Sequence, residues 1–420
     1  EVLNALIDNL NEPAFSIMAV NTLTGIGQPS LKALDHAFYN NTHTNNSQAL
    51  KIVQIMGRIG GDEVRDLLWN KLDYPNKIVV SEVLRALGEG NYQAGLTQIP
   101  RIKYTIESDI EAISWNMSAF YEVSETHFGL NIRTALEEEV NHDIRHIYML
   151  LSMLYDGSSI QLVKENIESG THEGMTYAIE MLDVFLSEEL KKKIIPVLDE
   201  TSYREKAVRL QEFYPRESLD ENMVLRFLLN RDFSQTNRWT RACVIYQMGM
   251  KKLTEFQNDL IAHFFNPDLM IREVAAWAIF TIDPELYHRH VQRLPEQDQV
   301  YLNRLMENLE LDNEHVLIFL RIHFLRSISM FTEVDGVILA EMADMIETLA
   351  LKSGADLTDQ PDFYDHFYII YQGSLERIQS TGTVKVLEEG VFIGESLPQQ
   401  NKEQKMKVPE GRTVFFKINK

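Results

Sequence analysis

Two histidines one helical turn apart, His142 and His146, form the most metal-like pattern in the chain. At i and i+4 their imidazoles share one helix face, with Asp143 beside them. The glutamate that a zinc-hydrolase helix carries between its histidines is missing, and no third ligand is recognisable. The pair also coincides with what reads as a repeat turn, so solvated or capping histidines are expected there, and no metal. His288-Arg289-His290 reads likewise as a polar helix end. Glu137-Glu138-Glu139 and the alternating Glu107, Asp109 and Glu111 read as solvated faces, because a catalytic carboxylate needs a shielded setting. Gly88-x-Gly90 and Gly57-x-x-Gly60-Gly61 follow no strand and fail the dinucleotide fingerprint. Neither a phosphate-binding G-x-x-x-x-G-K-[ST] nor a G-x-S-x-G elbow occurs. No catalytic residue is expected, and the chain reads as a non-enzyme.

The elements that would position such residues must be numerous, since 420 residues exceed one small core. Apolar content of 45% and charged content of 24% are those of a folded protein. A net charge of -22 repels phosphate backbones and acidic lipid surfaces, so nucleic acid is excluded as a partner class. The single cysteine, Cys243, lies in an apolar stretch, which excludes an intrachain disulfide framework and fits a reducing, cytoplasmic setting. The best candidate span, Val316–Phe331, is broken by Arg321, His323 and Arg326, short of the ~20 apolar residues a membrane requires. The chain begins at Glu1 with neither an initiator Met nor a signal pattern, which reads as a piece of a longer protein.

A repeat organises the first three quarters. Ile26-Gly27-Gln28-Pro29-Ser30-Leu31 matches Ile59-Gly60-Gly61-Asp62-Glu63-Val64 at an offset of 33 residues, each running helix, glycine turn, helix. A third turn follows at Leu87-Gly88-Glu89-Gly90, while Leu96–Leu130 keeps helical spacing around Trp115 without such turns. Asp143-Ile144-Arg145 and Asp268-Leu269-Met270-Ile271-Arg272 each read as a helix start, the aspartate accepting from orphan amides. With Ala275, Ala276 and Ala278 where helices meet closely, this D-x-x-V-R habit resembles HEAT repeats. A lone helix pair has too little apolar face to be stable, so stacking must bury it. The expectation is a mainly α chain, an α-solenoid of HEAT-like repeats over residues 1–312.

Beyond about Asp312 two further helices are read, Val316–Phe331 and Val337–Leu351, and then the period falls to two. Strands are expected at Phe367–Tyr371, Leu375–Ile378, Thr383–Leu387, Val391–Ile393 and Thr413–Ile418, with glycine turns between. Phe324-Leu325-Arg326-Ser327-Ile328-Ser329-Met330-Phe331 resembles the helical entry of cyclic-nucleotide-binding domains. Asp362-Phe363-Tyr364-Asp365-His366-Phe367-Tyr368-Ile369-Ile370-Tyr371-Gln372-Gly373 matches that family's D-x-x-D-x-x-Y-I-I-x-x-G stretch. Glu389-Gly390-Val391-Phe392-Ile393-Gly394-Glu395 resembles the opening of its phosphate-binding cassette. The resemblance covers about the last hundred residues and implies a β-roll with flanking helices over residues 313–420.

In that family a glutamate accepts from the ribose hydroxyl, an arginine forks onto the cyclic phosphate, and a short helix supplies amide donors. Here the glutamate is kept as Glu395 after Gly394, but Pro398 interrupts the short helix. The arginine position is filled by Gln404, with Lys405 or Lys407 left as point charges, and no lid helix follows the last strand. Gly394, Glu395, Gln404 and Lys405 thus mark a vestigial cyclic-nucleotide pocket, and no cofactor is expected. HEAT repeats before such a roll resemble the soluble tail of bacterial membrane carriers related to the ATP/ADP carrier family. That resemblance implies a cytoplasmic regulatory module that meets protein partners on its solenoid surface and touches a membrane only through a preceding transporter region. A cyclic-nucleotide sensor and a free-standing cytosolic adaptor are the alternatives.

Overall fold

The computed structural model describes residues 2–12, 15–40, 46–124, 132–232, 235–310, 316–378, 383–394 and 405–419. Among these the chain is mainly α, with twenty α-helices preceding the first strand. Contacts divide it into two compact units, Glu1–Val244 and Ile245–Lys420. The compact units part within the helix Arg238–Met250, the first strand begins at Glu347, and residue 312 lies outside the described residues.

In the first unit the 33-residue match is structural. Helix Ser16–Ile26 turns at Gly27 into Leu31–Asn40, and helix Asn46–Ile59 turns at Gly60 and Gly61 into Asp62–Trp69. The start of one pair reaches the turn of the next: the Gln28 amide donates to the Gly60 carbonyl at 3.2 Å. Arg65 does the same one step on, donating to the Gly90 carbonyl at 2.9 Å. These bonds satisfy carbonyls that a helix end leaves open, which ties the turns together as well as the cores. One apolar cluster runs on from Ile7 to Leu210, through Leu23, Ile52, Leu84, Ile106 and Ile147. Each such leucine or isoleucine is worth ~2 kcal/mol when fully buried, and no single pair holds enough of them to stand alone.

Local chemistry sets the helix starts. Asn76, Asp156, Thr171, Ser202 and Asp220 each accept from an amide of the first turn, and Ser202 with Glu205 completes a reciprocal capping box. In the second unit Asp268 caps Leu269–Ile282 through the Ile271 amide at 3.1 Å, as its position predicts. Ala275, Ala276 and Ala278 are buried on that helix, and His288, Arg289 and His290 occupy the last turn of Pro284–Val291. Asp143 does otherwise. It lies in the middle of one continuous helix, Ile132–Leu154, and is fully buried. The expected start at Asp143 fails because its carboxylate bonds to side chains of another helix and leaves the local amides to the helix itself.

The β-domain comprises β1 (Glu347–Lys352), β2 (His366–Gln372), β3 (Leu375–Ile378), β4 (Val384–Leu387), β5 (Phe392–Ile393), β6 (Lys405–Lys407) and β7 (Arg412–Asn419). Four strands pair in the order β1-β7-β2-β5 and three in the order β4-β3-β6, all antiparallel. Five follow the expected strands closely. β1 corrects the expected helix Val337–Leu351, which stops at Asp344. Six consecutive residues from Glu347 to Lys352 pair instead with Lys417 back to Arg412, a ladder that outweighs their helical spacing. Leu357, Tyr368, Ile370, Leu375, Met406 and Phe415 fill the interior of the roll.

Candidate functional site

The residues with chemical potential collect in the first unit, where helices Lys77–Glu89, Ile99–Glu122 and Ile132–Leu154 meet. Lys77, on the first of these, extends a buried ammonium to Asp143 Oδ1 at 2.7 Å and Glu139 Oε2 at 3.0 Å. Glu139 Oε1 in turn accepts from the Asn237 amide at 2.7 Å and the Thr240 hydroxyl at 2.9 Å. Glu139 is therefore a core residue, and the expectation of a solvated Glu137–Glu139 face is corrected at that position. Burial works against the Lys77 charge, yet the carboxylates of Asp143 and Glu139 outweigh it and hold its pKa above the usual lysine range. Burial likewise pushes Asp143 up to about 6, against the pull of Lys77.

The histidines face the same knot. His146 is buried and His142 half-buried, so neither is the solvated or capping group that its spacing suggested. No turn occurs here; the helix is unbroken, and its inner face carries both rings, 4.5 Å apart between centroids. Both Nε2 atoms meet the Ser81 hydroxyl, His142 at 3.1 Å and His146 closer still. Burial lowers the pKa of both imidazoles, His142 to about 3, so both rings are neutral at physiological pH. On the far side of His146, Asp109 Oδ2 stands 4.0 Å from Nδ1 and has no hydrogen-bond partner. Burial and the nearby Asp143 charge raise the Asp109 pKa well above the carboxylate range. Asp109 thus also departs from the expected solvated face. A cleft of about 310 Å³, lined in part by Lys77, Arg101, Tyr104, Ser108, Asp109 and His146, reaches this point from outside.

Ser81, His146 and Asp109 superficially follow the order of a hydrolytic triad. Ser81, however, sits inside a helix whose amides are spent on the helix itself, so no backbone donors face its hydroxyl to hold an oxyanion. Sequence reasoning found the two histidines, misread Glu139 as solvated, and missed Lys77 and Ser81, which only the approach of separate helices brings together with it. A lysine within the apolar run of Lys77–Leu87 was the available signal.

The roll holds the residues of the expected pocket. Gly394, at φ 130°, follows β5, and a Cβ there would lie 2.8 Å from Phe367 Cδ1 and 3.1 Å from the His366 carbonyl. Its glycine is required by close packing on β2. Lys405 opens β6 on the other sheet, exposed, where its charge helps lower the pKa of Asp356. Asp356 itself accepts from the Met406 amide at 3.0 Å and from Thr358. Gly394 and Lys405 therefore flank residues 395–404 from different sheets; Glu395 and Gln404 lie outside the described residues. The family-like stretch from Asp362 to Gly373 is accounted for by structure. Asp362 pairs with Lys417 of β7, Tyr368 stacks on Phe363, and a Cβ at Gly373 would meet the Arg412 carbonyl at 2.8 Å.

The described residues form a mainly α chain that ends in a small antiparallel β-domain. No family model matches the chain, and no curated protein matches it. Among solved structures it is similar to the regulatory domain of Toxoplasma gondii PKA with cAMP. That match has 23% identity and a TM-score of 0.22, and it covers 24% of this chain and 42% of the other. Among the described residues no helix is long and apolar enough to cross a membrane.

Proposed function

We propose that this chain is a non-enzymatic regulatory and protein-interaction module, in which the helical array offers the binding surface and the roll serves as a docking or packing element. The observation that carries this reading is the use made of the cassette's flanks. Gly394 is spent on packing against His366 and Phe367, and Lys405 lies beside Asp356. With Gln404 at the arginine position, the neighbouring lysine is a point charge that gives a weak hold on a cyclic phosphate. The acidic charge of -22 favours a basic protein partner over nucleic acid. The array resembles the tails of ATP/ADP-type carriers, so its natural setting in this reading is cytoplasmic, behind a membrane region.

Amide hydrogen exchange with and without cyclic AMP tests the roll. The reading expects unchanged protection in β2 and β5, which border Gly394. Protection gained there on adding cyclic AMP, and lost in Glu395→Ala, would establish a sensor instead. A gene whose upstream sequence encodes no membrane spans would remove the carrier setting and leave the interaction role.

A further inference from the structure

We propose that the knot between helices Lys77–Glu89, Ile99–Glu122 and Ile132–Leu154 is a binding site for one divalent transition-metal ion of the zinc class, ligated by His142, His146 and Asp143. One atom from each of the three residues lies within 4.8 Å of the others. Two imidazole nitrogens and a carboxylate oxygen form a donor set that suits zinc, cobalt or nickel, and a hydroxide or water entering by the cleft completes a tetrahedron.

The hydrogen bonding around the rings supplies the argument that spacing alone lacks. The Nδ1 side of His146 faces Asp109 at 4.0 Å, beyond hydrogen-bond distance. A carboxylate in that outer position is the kind of partner that orients a metal-bound histidine. With Nδ1 carrying the proton, each ring turns an Nε2 lone pair toward the same point, where the Ser81 hydroxyl now stands. One hydroxyl has one proton and can serve only one of the two lone pairs. A cation serves both. Independently, Asp143 is fully buried and its Oδ2 has no hydrogen-bond partner, although Oδ1 is held by Lys77. An unmatched carboxylate oxygen in a dry interior is costly, and it lies within reach of both histidines.

The test uses the full chain, stripped with a chelator and dialysed, then titrated with Co²⁺ and, by calorimetry, with Zn²⁺. The expected result is one ion per chain, with the intense visible d–d bands of four-coordinate cobalt. His142→Ala, half-buried and so tolerant of truncation, should weaken binding by about tenfold or more while keeping the circular dichroism of the parent. Asp143→Asn, nearly isosteric, should weaken it similarly and provides the second variant if His146→Ala unfolds. Absence of stoichiometric binding by the folded parent would overturn the proposal. So would binding that survives unchanged in both His142→Ala and Asp143→Asn, because the ion would then sit on other histidines.

Discussion

Lys77, Glu139 and Asp143 form a buried ion triad whose value lies in its completeness. Removing the lysine alone, as in Lys77→Met, strands two carboxylates in the core, and a loss of about 3–5 kcal/mol in urea unfolding is expected. A second buried carboxylate works through protons. Glu273 accepts from the Tyr301 hydroxyl and from the Ile318 amide at 2.8 Å, and burial raises its pKa from 4.5 to about 7. Between those values the unfolded chain has released this proton while the folded chain keeps it. Stability therefore falls as pH rises through the window, by on the order of 3 kcal/mol. Glu273→Gln can accept from the Ile318 amide on its oxygen and donate its own amide to the Tyr301 hydroxyl oxygen, and should flatten that fall. Urea midpoints of the two proteins at about pH 4.5 and about pH 8 check it, since their difference isolates Glu273 from the buried histidines. Little of this was legible in the sequence. A glutamate run such as Glu137-Glu138-Glu139 does not say which member turns inward, and only the arrival of Lys77 and Thr240 decides it.

Helices with a capping residue were legible, and those defined by long-range contacts were not. Asp268 performs the N-cap that its position promised, and Asp268→Ala should cost about 1 kcal/mol in thermal or urea unfolding. Asp143 carries a similar local signature, an aspartate and an arginine before an apolar run, yet lies in mid-helix because a lysine from another helix claims it. β1 was hidden for a related reason: Glu347–Lys352 can lie on a helix, and its strand state depends on pairing with β7, sixty-odd residues away in the chain. β6 is too short to carry a period of its own. The glycines, by contrast, report backbone demands directly. Gly394→Ala combines a positive φ with an overlap against Phe367, and a destabilisation of about 2 kcal/mol or more is expected for the roll. Loss of near-ultraviolet signal from the aromatic roll core at lower urea would register it.

At the scale of the molecule, the repeat and the change to a two-residue period were plain in the sequence, and the architecture follows them. In the proposed function, a helical array whose pairs are tied turn to turn by Gln28 and Arg65 offers its exposed faces to a partner, for which the net acidic charge favours a basic surface. The described residues of the roll form seven antiparallel strands, and two of its glycines, Gly373 and Gly394, are committed to close packing. The central claim of the proposed function is that the roll binds no cyclic nucleotide. Calorimetric titration of the full chain with cyclic AMP and cyclic GMP tests it most directly. The account predicts no saturable heat with either nucleotide; stoichiometric micromolar binding that disappears in Glu395→Ala would contradict it.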